Sequence, residues 1–305
     1  MHRLPPLRLL RPRPRLRPKP PPTHPNIHTF TRRLFKLPLP PPSPPNHHDL
    51  PSFLAHAART ALARTALAPT STTYIGTHYE YTVQDTLRRS GFSLARTGGR
   101  LDAGIDLVGT WHLPEREHPL RAIVQCKSLK SKLGPNLVRE LEGTVRANNA
   151  TDTLGVLVSP REATKGVRDA LARSAAPLVW MMVRREGGLR QVLWNARAEA
   201  IGLAGVGVEV RFSAEGEGKG DEGVVLTWNG EEMPGMDAVE AQMARVECEW
   251  LRLWGVPETQ RERLLDVLEE MFPDERPLLY GRGGSSLTEG QKEQVLERVR
   301  GRIAS

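Results

Sequence analysis

Gly98-Gly99-Arg100-Leu101-Asp102-Ala103-Gly104-Ile105-Asp106-Leu107-Val108-Gly109, followed after a polar loop by Ile123-Val124-Gln125-Cys126-Lys127, decides how this chain is read. Asp106 stands at the start of one predicted strand, and Gln125 and Lys127 lie two apart on the next. Side chains alternate along a strand, so Gln125 and Lys127 share a face. If the two strands pair as a hairpin, Asp106 meets them at one end of a sheet. A carboxylate beside an amide or backbone carbonyl is an oxygen donor set for Mg2+, which lowers the pKa of a bound water and neutralises a phosphate. A lysine there orients the attacking water or stabilises charge developing on phosphorus. The glycines around Asp102 let a phosphodiester backbone approach closely.

The flanking sequence predicts the frame for this cluster. An Ala/Leu-rich helix is expected over 53–67 and a second over 76–90, with Ile75, Tyr79, Val83 and Leu87 four apart on its buried side. Strands are predicted at 92–96, 105–111 and 121–127, then a helix over 136–148 with Leu137, Leu141 and Val145 facing inward. A buried strand at 154–158, a helix over 161–173 and a strand at 178–183 follow. This α-β-β-β-α-β-α-β order predicts an α/β (α+β) fold, a mixed sheet flanked by helices. Beyond residue 195, Val206, Val208, Val210 and Phe212 alternate as a strand whose hairpin partner is 224–229. Three helices are expected near 237–254, 259–271 and 288–302, the last opening on a Thr288/Gln291 capping box. Four segments result: 1–48, a helical linker 49–73, a core 74–195 and an extension 196–305.

Charge separates those segments sharply. The 305 residues carry a net +8, yet the first 48 contain ten Lys/Arg and no acid. Residues 49–195 contribute +7 and 196–305 contribute −9. An Arg-rich, acid-free leader with Ile27, Phe30, Leu34 and Leu37 at helical spacing beside Arg32, Arg33 and Lys36 predicts mitochondrial import. Its 15 prolines restrict any helix to a short piece. The alternative is a basic tail that binds nucleic acid or nothing. No apolar run reaches the roughly 20 residues of a spanning helix. Two cysteines, Cys126 and Cys248, make neither a disulfide framework nor a Cys-rich zinc site, which fits a reducing compartment.

Gly-Thr-His-Tyr-Glu at 76–80, Val83, Leu87, Gly91-Phe92, Asp102-Ala103-Gly104-Ile105-Asp106 and Gln125-Cys126-Lys127 together resemble the Mrr-type branch of the PD-(D/E)XK restriction-endonuclease-like superfamily. In that branch the acidic position of the last motif is often Gln, as at Gln125. The chain also resembles the fungal mitochondrial family called "required for respiratory growth", member seven, which further takes in Trp194-Asn195 and 226–230. The resemblance implies a restriction-endonuclease-like core with Asp106 as the metal-binding aspartate and Gln125 and Lys127 as the last motif. Asp106 and Gln125 are the implied metal ligands, Glu80 the first-helix acid and Mg2+ the cofactor. It further implies a Mg2+-dependent endonuclease serving respiratory competence.

Plainer readings stand beside these. Asp102 and Asp106 fit ordinary turn residues bonding their own backbone, Lys127 a strand-end lysine in solvent and Glu80 a solvated helix residue. Gln125 fits least well as an accident, because a buried amide needs several partners. Cys126 alternates to the face opposite Lys127 and reads as a core residue. From 86 to 146 there are 11 basic residues against six acids. Arg100, Lys130, Lys132 and Arg139 are the candidates for tracking a phosphate backbone, DNA before RNA. The rival function is a non-catalytic nucleic-acid-binding or assembly factor on an inactive nuclease fold. The acidic extension 196–305 is the expected docking site for a protein partner, or a shield over the basic face.

Overall fold

The structure is a computed structural model that describes residues 46–62, 68–97, 104–116, 119–129, 131, 133–148, 153–212, 222–273 and 287–304. Helices α1 (Leu50–Leu62) and α2 (Thr72–Arg88) precede strands β1 (Phe92–Arg96), β2 (Leu107–Trp111) and β3 (Leu120–Cys126). Then come α3 (Asn136–Ala147), β4 (Thr153–Ser159), α4 (Lys165–Arg173), β5 (Leu178–Val183) and β6 (Leu189–Trp194). The six strands form one mixed sheet in chain order β1-β2-β3-β4-β5-β6. Pairing is antiparallel for β1/β2, β2/β3 and β5/β6, and parallel for β3/β4 and β4/β5. The two parallel steps are those joined by helices α3 and α4, as crossover connections require. A mixed sheet flanked by helices is therefore what the chain adopts.

Each face of the sheet has its own apolar layer. Tyr79, Val83 and Leu87 of α2 pack on Ala122, Val124, Val156 and Met181. Val138, Leu141 and Val145 of α3 and Val167 and Leu171 of α4 pack on Leu157, Leu178 and Trp180 from the other side. Helix α2 begins earlier than expected because Ser71 caps it, its side chain accepting from Tyr74 N at 3.2 Å, which is worth about 1 kcal/mol. Ile75, expected inward, is exposed in the first turn of α2. In α3 the buried stripe is Val138, Leu141 and Val145, with Leu137 half-buried at its flank.

Strand β6 was not anticipated. Its Arg190 and Gln191 dilute the apolar pattern, although Leu189 and Val192 are buried and Gly187-Gly188, both at positive φ, turn the chain back from β5. Asn195, at the end of β6, is buried and fully engaged. Its Oδ1 accepts from Leu178 N at 3.1 Å and Ala198 N at 3.0 Å. Its Nδ2 donates to Ala176 O at 2.8 Å, Leu171 O at 3.2 Å and Ser174 O at 3.3 Å.

Beyond a helical turn at 196–203, strands β7 (Val206–Phe212), β8 (Glu222–Trp228) and β9 (Glu231–Glu232) form a small antiparallel sheet. Val206 and Leu226 from this sheet and Met233 just after it join the α2-side core, so the hairpin packs on the main body. Helices α5 (Met236–Trp254), α6 (Arg261–Met271) and α7 (Glu289–Ala304) follow. Leu251, Trp254, Leu264, Leu265, Leu268, Val295 and Val299 make a separate core there. The capping box is present, with Gln291 N donating to Thr288 Oγ1 at 3.3 Å and Thr288 N to Gln291 Oε1 at 2.8 Å. No helix among the described residues is long and apolar enough to cross a membrane.

Candidate active site at the end of strand β3

The β2/β3 register pairs Leu107 with Val124, and Asp106 N donates to Val124 O at 3.0 Å. That register brings Asp106 alongside the end of β3. Its Oδ2 accepts from Cys126 N at 2.6 Å, a charge-assisted bond that fixes the carboxylate against the backbone between Gln125 and Lys127. Its carbonyl accepts from Thr97 N and Thr97 Oγ1, each at 3.0 Å. These partners of Asp106 lie on β3 and just after β1.

Gln125 and Lys127 project together towards α3, as the two-residue period requires. Gln125 is 1 % exposed. Its Nε2 donates to Glu140 Oε1 at 2.7 Å, while its Oε1 is buried with no hydrogen-bond partner. Lys127 Nζ lies 3.4 Å from the same Glu140 oxygen. Gly104, at φ +80°, closes over this group, because a Cβ there would sit 2.7 Å from Gln125 Nε2 and 3.4 Å from Glu140 Oε1. An L side chain would have to adopt a disfavoured backbone and displace the amide.

Glu80 arrives on the other layer, from α2. Its carboxylate is paired with Arg96 Nε, and Arg96 Nη2 also reaches Thr77 Oγ1 at 3.4 Å. Burial works to lower the pKa of Arg96, but the charge and hydrogen bond of Glu80, with Tyr81 and Asp106, hold it above the usual guanidinium value. The structure thus brings Asp106, Gln125 and Lys127 together and gives Glu80 to Arg96. Cys126 faces the α2 side and packs against the main core. Burial first, then the charges of Asp106 and Glu80, push its thiol well above the ordinary range, opposed by Lys127. That holds it as a neutral thiol, not a nucleophile.

Of the basic residues expected to track phosphate, Arg139 is an exposed residue of α3, whereas Arg100, Lys130 and Lys132 lie outside the described residues, as does Asp102. Two site neighbours were not anticipated. Arg185, in the β5–β6 turn, donates to Ser128 O at 3.0 Å, immediately after Lys127. Glu140 is the other, and its only sequence signal is its place beside Leu137 on the flank of the α3 apolar stripe. Among the described residues no group of three His, Cys, Asp or Glu side chains is arranged to hold a metal ion. The oxygens present, the Asp106 carboxylate and the unpartnered Gln125 Oε1, nonetheless suit a hard divalent cation such as Mg2+, which takes one or two carboxylates and keeps several waters.

The profile of the family described as Required for respiratory growth protein 7 matches residues 71–118 and 112–212, which span the site and both layers around it. Over these residues the chain matches the Required for respiratory growth protein 7 family. An uncharacterized mitochondrial protein of Schizosaccharomyces pombe is 36 % identical over 159 residues, covering 51 % of this chain and 62 % of that one. The mitochondrial Required for respiratory growth protein 7 of Saccharomyces cerevisiae is 29 % identical over 161 residues, covering 37 % of this chain and 66 % of that one. In both cases the chain covers less than two thirds of the relative's own length. Both relatives are mitochondrial by name, the compartment predicted from the leader. No solved structure matches the chain.

Proposed function

We propose that this is a mitochondrial nuclease-like protein, with the core of an Mrr-type PD-(D/E)XK domain, that binds nucleic acid and hydrolyses phosphodiester bonds with Mg2+. One observation supports the reading: the Asp106 carboxylate accepts from Cys126 N, the backbone amide that lies between Gln125 and Lys127 in the chain. Asp106 and the Gln125 oxygen would hold the cation, whose chemistry is to acidify a water and neutralise phosphate charge. Lys127 does the rest from the protein. Its ammonium, only part-exposed and steered by Glu140, orients a water or stabilises charge on the phosphate oxygens. DNA is the favoured substrate, and the respiratory-growth role in the relatives' name would follow from upkeep of the mitochondrial genome or its expression.

A second reading has its own support. Gln125 stands where an acid would add a ligand, and Glu80 is taken by Arg96. On that basis the fold binds nucleic acid, or assembles a partner on the acidic segment 196–305, without hydrolysis. Incubation of the full chain with plasmid and single-stranded substrates in Mg2+ or Mn2+ separates the two. Cleavage that disappears in Asp106→Ala and Lys127→Ala while binding persists supports the enzyme. Binding with no metal-dependent cleavage by the wild type supports the second reading.

A further inference from the structure

Gln125 carries two polar atoms in a place with almost no solvent, and only one is used. Its Nε2 meets Glu140 Oε1 at 2.7 Å and its Oε1 meets no donor. A buried amide oxygen left without a partner costs about 1–3 kcal/mol, and a bound cation would remove that cost. Glu140, half-exposed on α3, is held at the nitrogen end of the same amide, 2.7 Å from Nε2, and lies 3.4 Å from Lys127 Nζ. We propose that Glu140 supplies the second anionic ligand of the divalent-cation site, an inference that rests on the reading of Asp106, Gln125 and Lys127 given above.

The charges then balance. Asp106 and Glu140 against Lys127 leave one net negative charge, and a divalent cation turns this to one positive, which complements a singly charged phosphodiester. The identity of residue 125 follows as well. A glutamate there would set two carboxylates at the 2.7 Å now spanned by a hydrogen bond, and like charges that close repel strongly. Glutamine lets the helix bring the acid that the strand lacks. Gly104 completes the arrangement by leaving room beside Gln125 Nε2 and Glu140 Oε1. The acid has moved from the strand to the crossover helix without leaving the site.

The test is direct Mn2+ binding to the full chain, read from the electron paramagnetic resonance signal of free Mn2+, with circular dichroism to establish that each variant is folded. The wild type is expected to bind one equivalent. Glu140→Gln should weaken binding about 10- to 100-fold, at least the loss that follows removal of an outer-shell partner. Gln125→Glu with Glu140→Gln, which returns the acid to the strand, should recover it to within a few-fold. Wild-type affinity in folded Glu140→Gln, or no recovery in the folded double variant, overturns the role of Glu140. If Asp106→Asn loses binding while Glu140→Gln keeps it, only this inference falls. No Mn2+ binding by the wild type removes the metal reading itself.

Discussion

Two buried amides in this protein are used in opposite ways. Asn195, after β6, engages five backbone groups and ties the end of α4, the start of β5 and the following helical turn to one point. Gln125, near the end of β3, is buried at least as deeply but spends one atom on a half-exposed carboxylate and leaves its oxygen without a partner. A satisfied amide specifies a fold, whereas the under-satisfied one, near an aspartate, a glutamate and a lysine, is where we propose that a ligand completes the structure.

The contrast is broken most severely at Asn195. Asn195→Ala strands Leu178 N and Ala198 N in the interior and removes one donor from three carbonyls, and should lower stability by about 3 kcal/mol, read from urea unfolding. Gly104→Ala comes next, at about 1–2 kcal/mol for forcing an alanine to positive φ. Because its Cβ pushes on the Gln125 amide, it should also abolish Mn2+ binding. Gln125→Met sharpens the comparison. Removing an amide whose oxygen has no partner should change stability by less than about 1 kcal/mol, yet remove metal binding. Equal stability losses at Asn195 and Gln125 would erase the distinction drawn between them.

The smallest effect concerns Cys126, whose backbone N–H holds Asp106. Its thiol is raised by burial and by the adjacent acids, so its neutral form is favoured in the folded state. The associated stability is present below the unfolded thiol pKa and is lost as pH rises through the folded one. At pH 8, iodoacetamide should therefore modify exposed Cys248 and spare Cys126 until denaturant is added. Mass spectrometry of the peptides reports both.

Much of this arrangement was written in local sequence. Strands β1 and β5 fall where the apolar runs place them, and the Gln-x-Lys spacing puts both side chains on one face because strands alternate. Asp106 beside them needed only the assumption of a hairpin between β2 and β3. What local pattern does not carry is the partner across the fold. Nothing in the order of residues says that Glu80 meets Arg96, or that Glu140 lies on Gln125, because both depend on where a helix crosses the sheet. Strand β6 escaped because an edge strand can hold Arg190 and Gln191 without breaking its ladder. Alternation shows that 206–212 is a strand, but not that Val206, Leu226 and Met233 enter the α2-side core.

The most direct measurement is a crystal structure of the full chain soaked in Mn2+, with anomalous scattering used to locate the ion. The account predicts one peak at the end of β3, in contact with Asp106, Gln125 Oε1 and Glu140. A fully occupied Mn2+ elsewhere, or none at this site at millimolar metal, would contradict it.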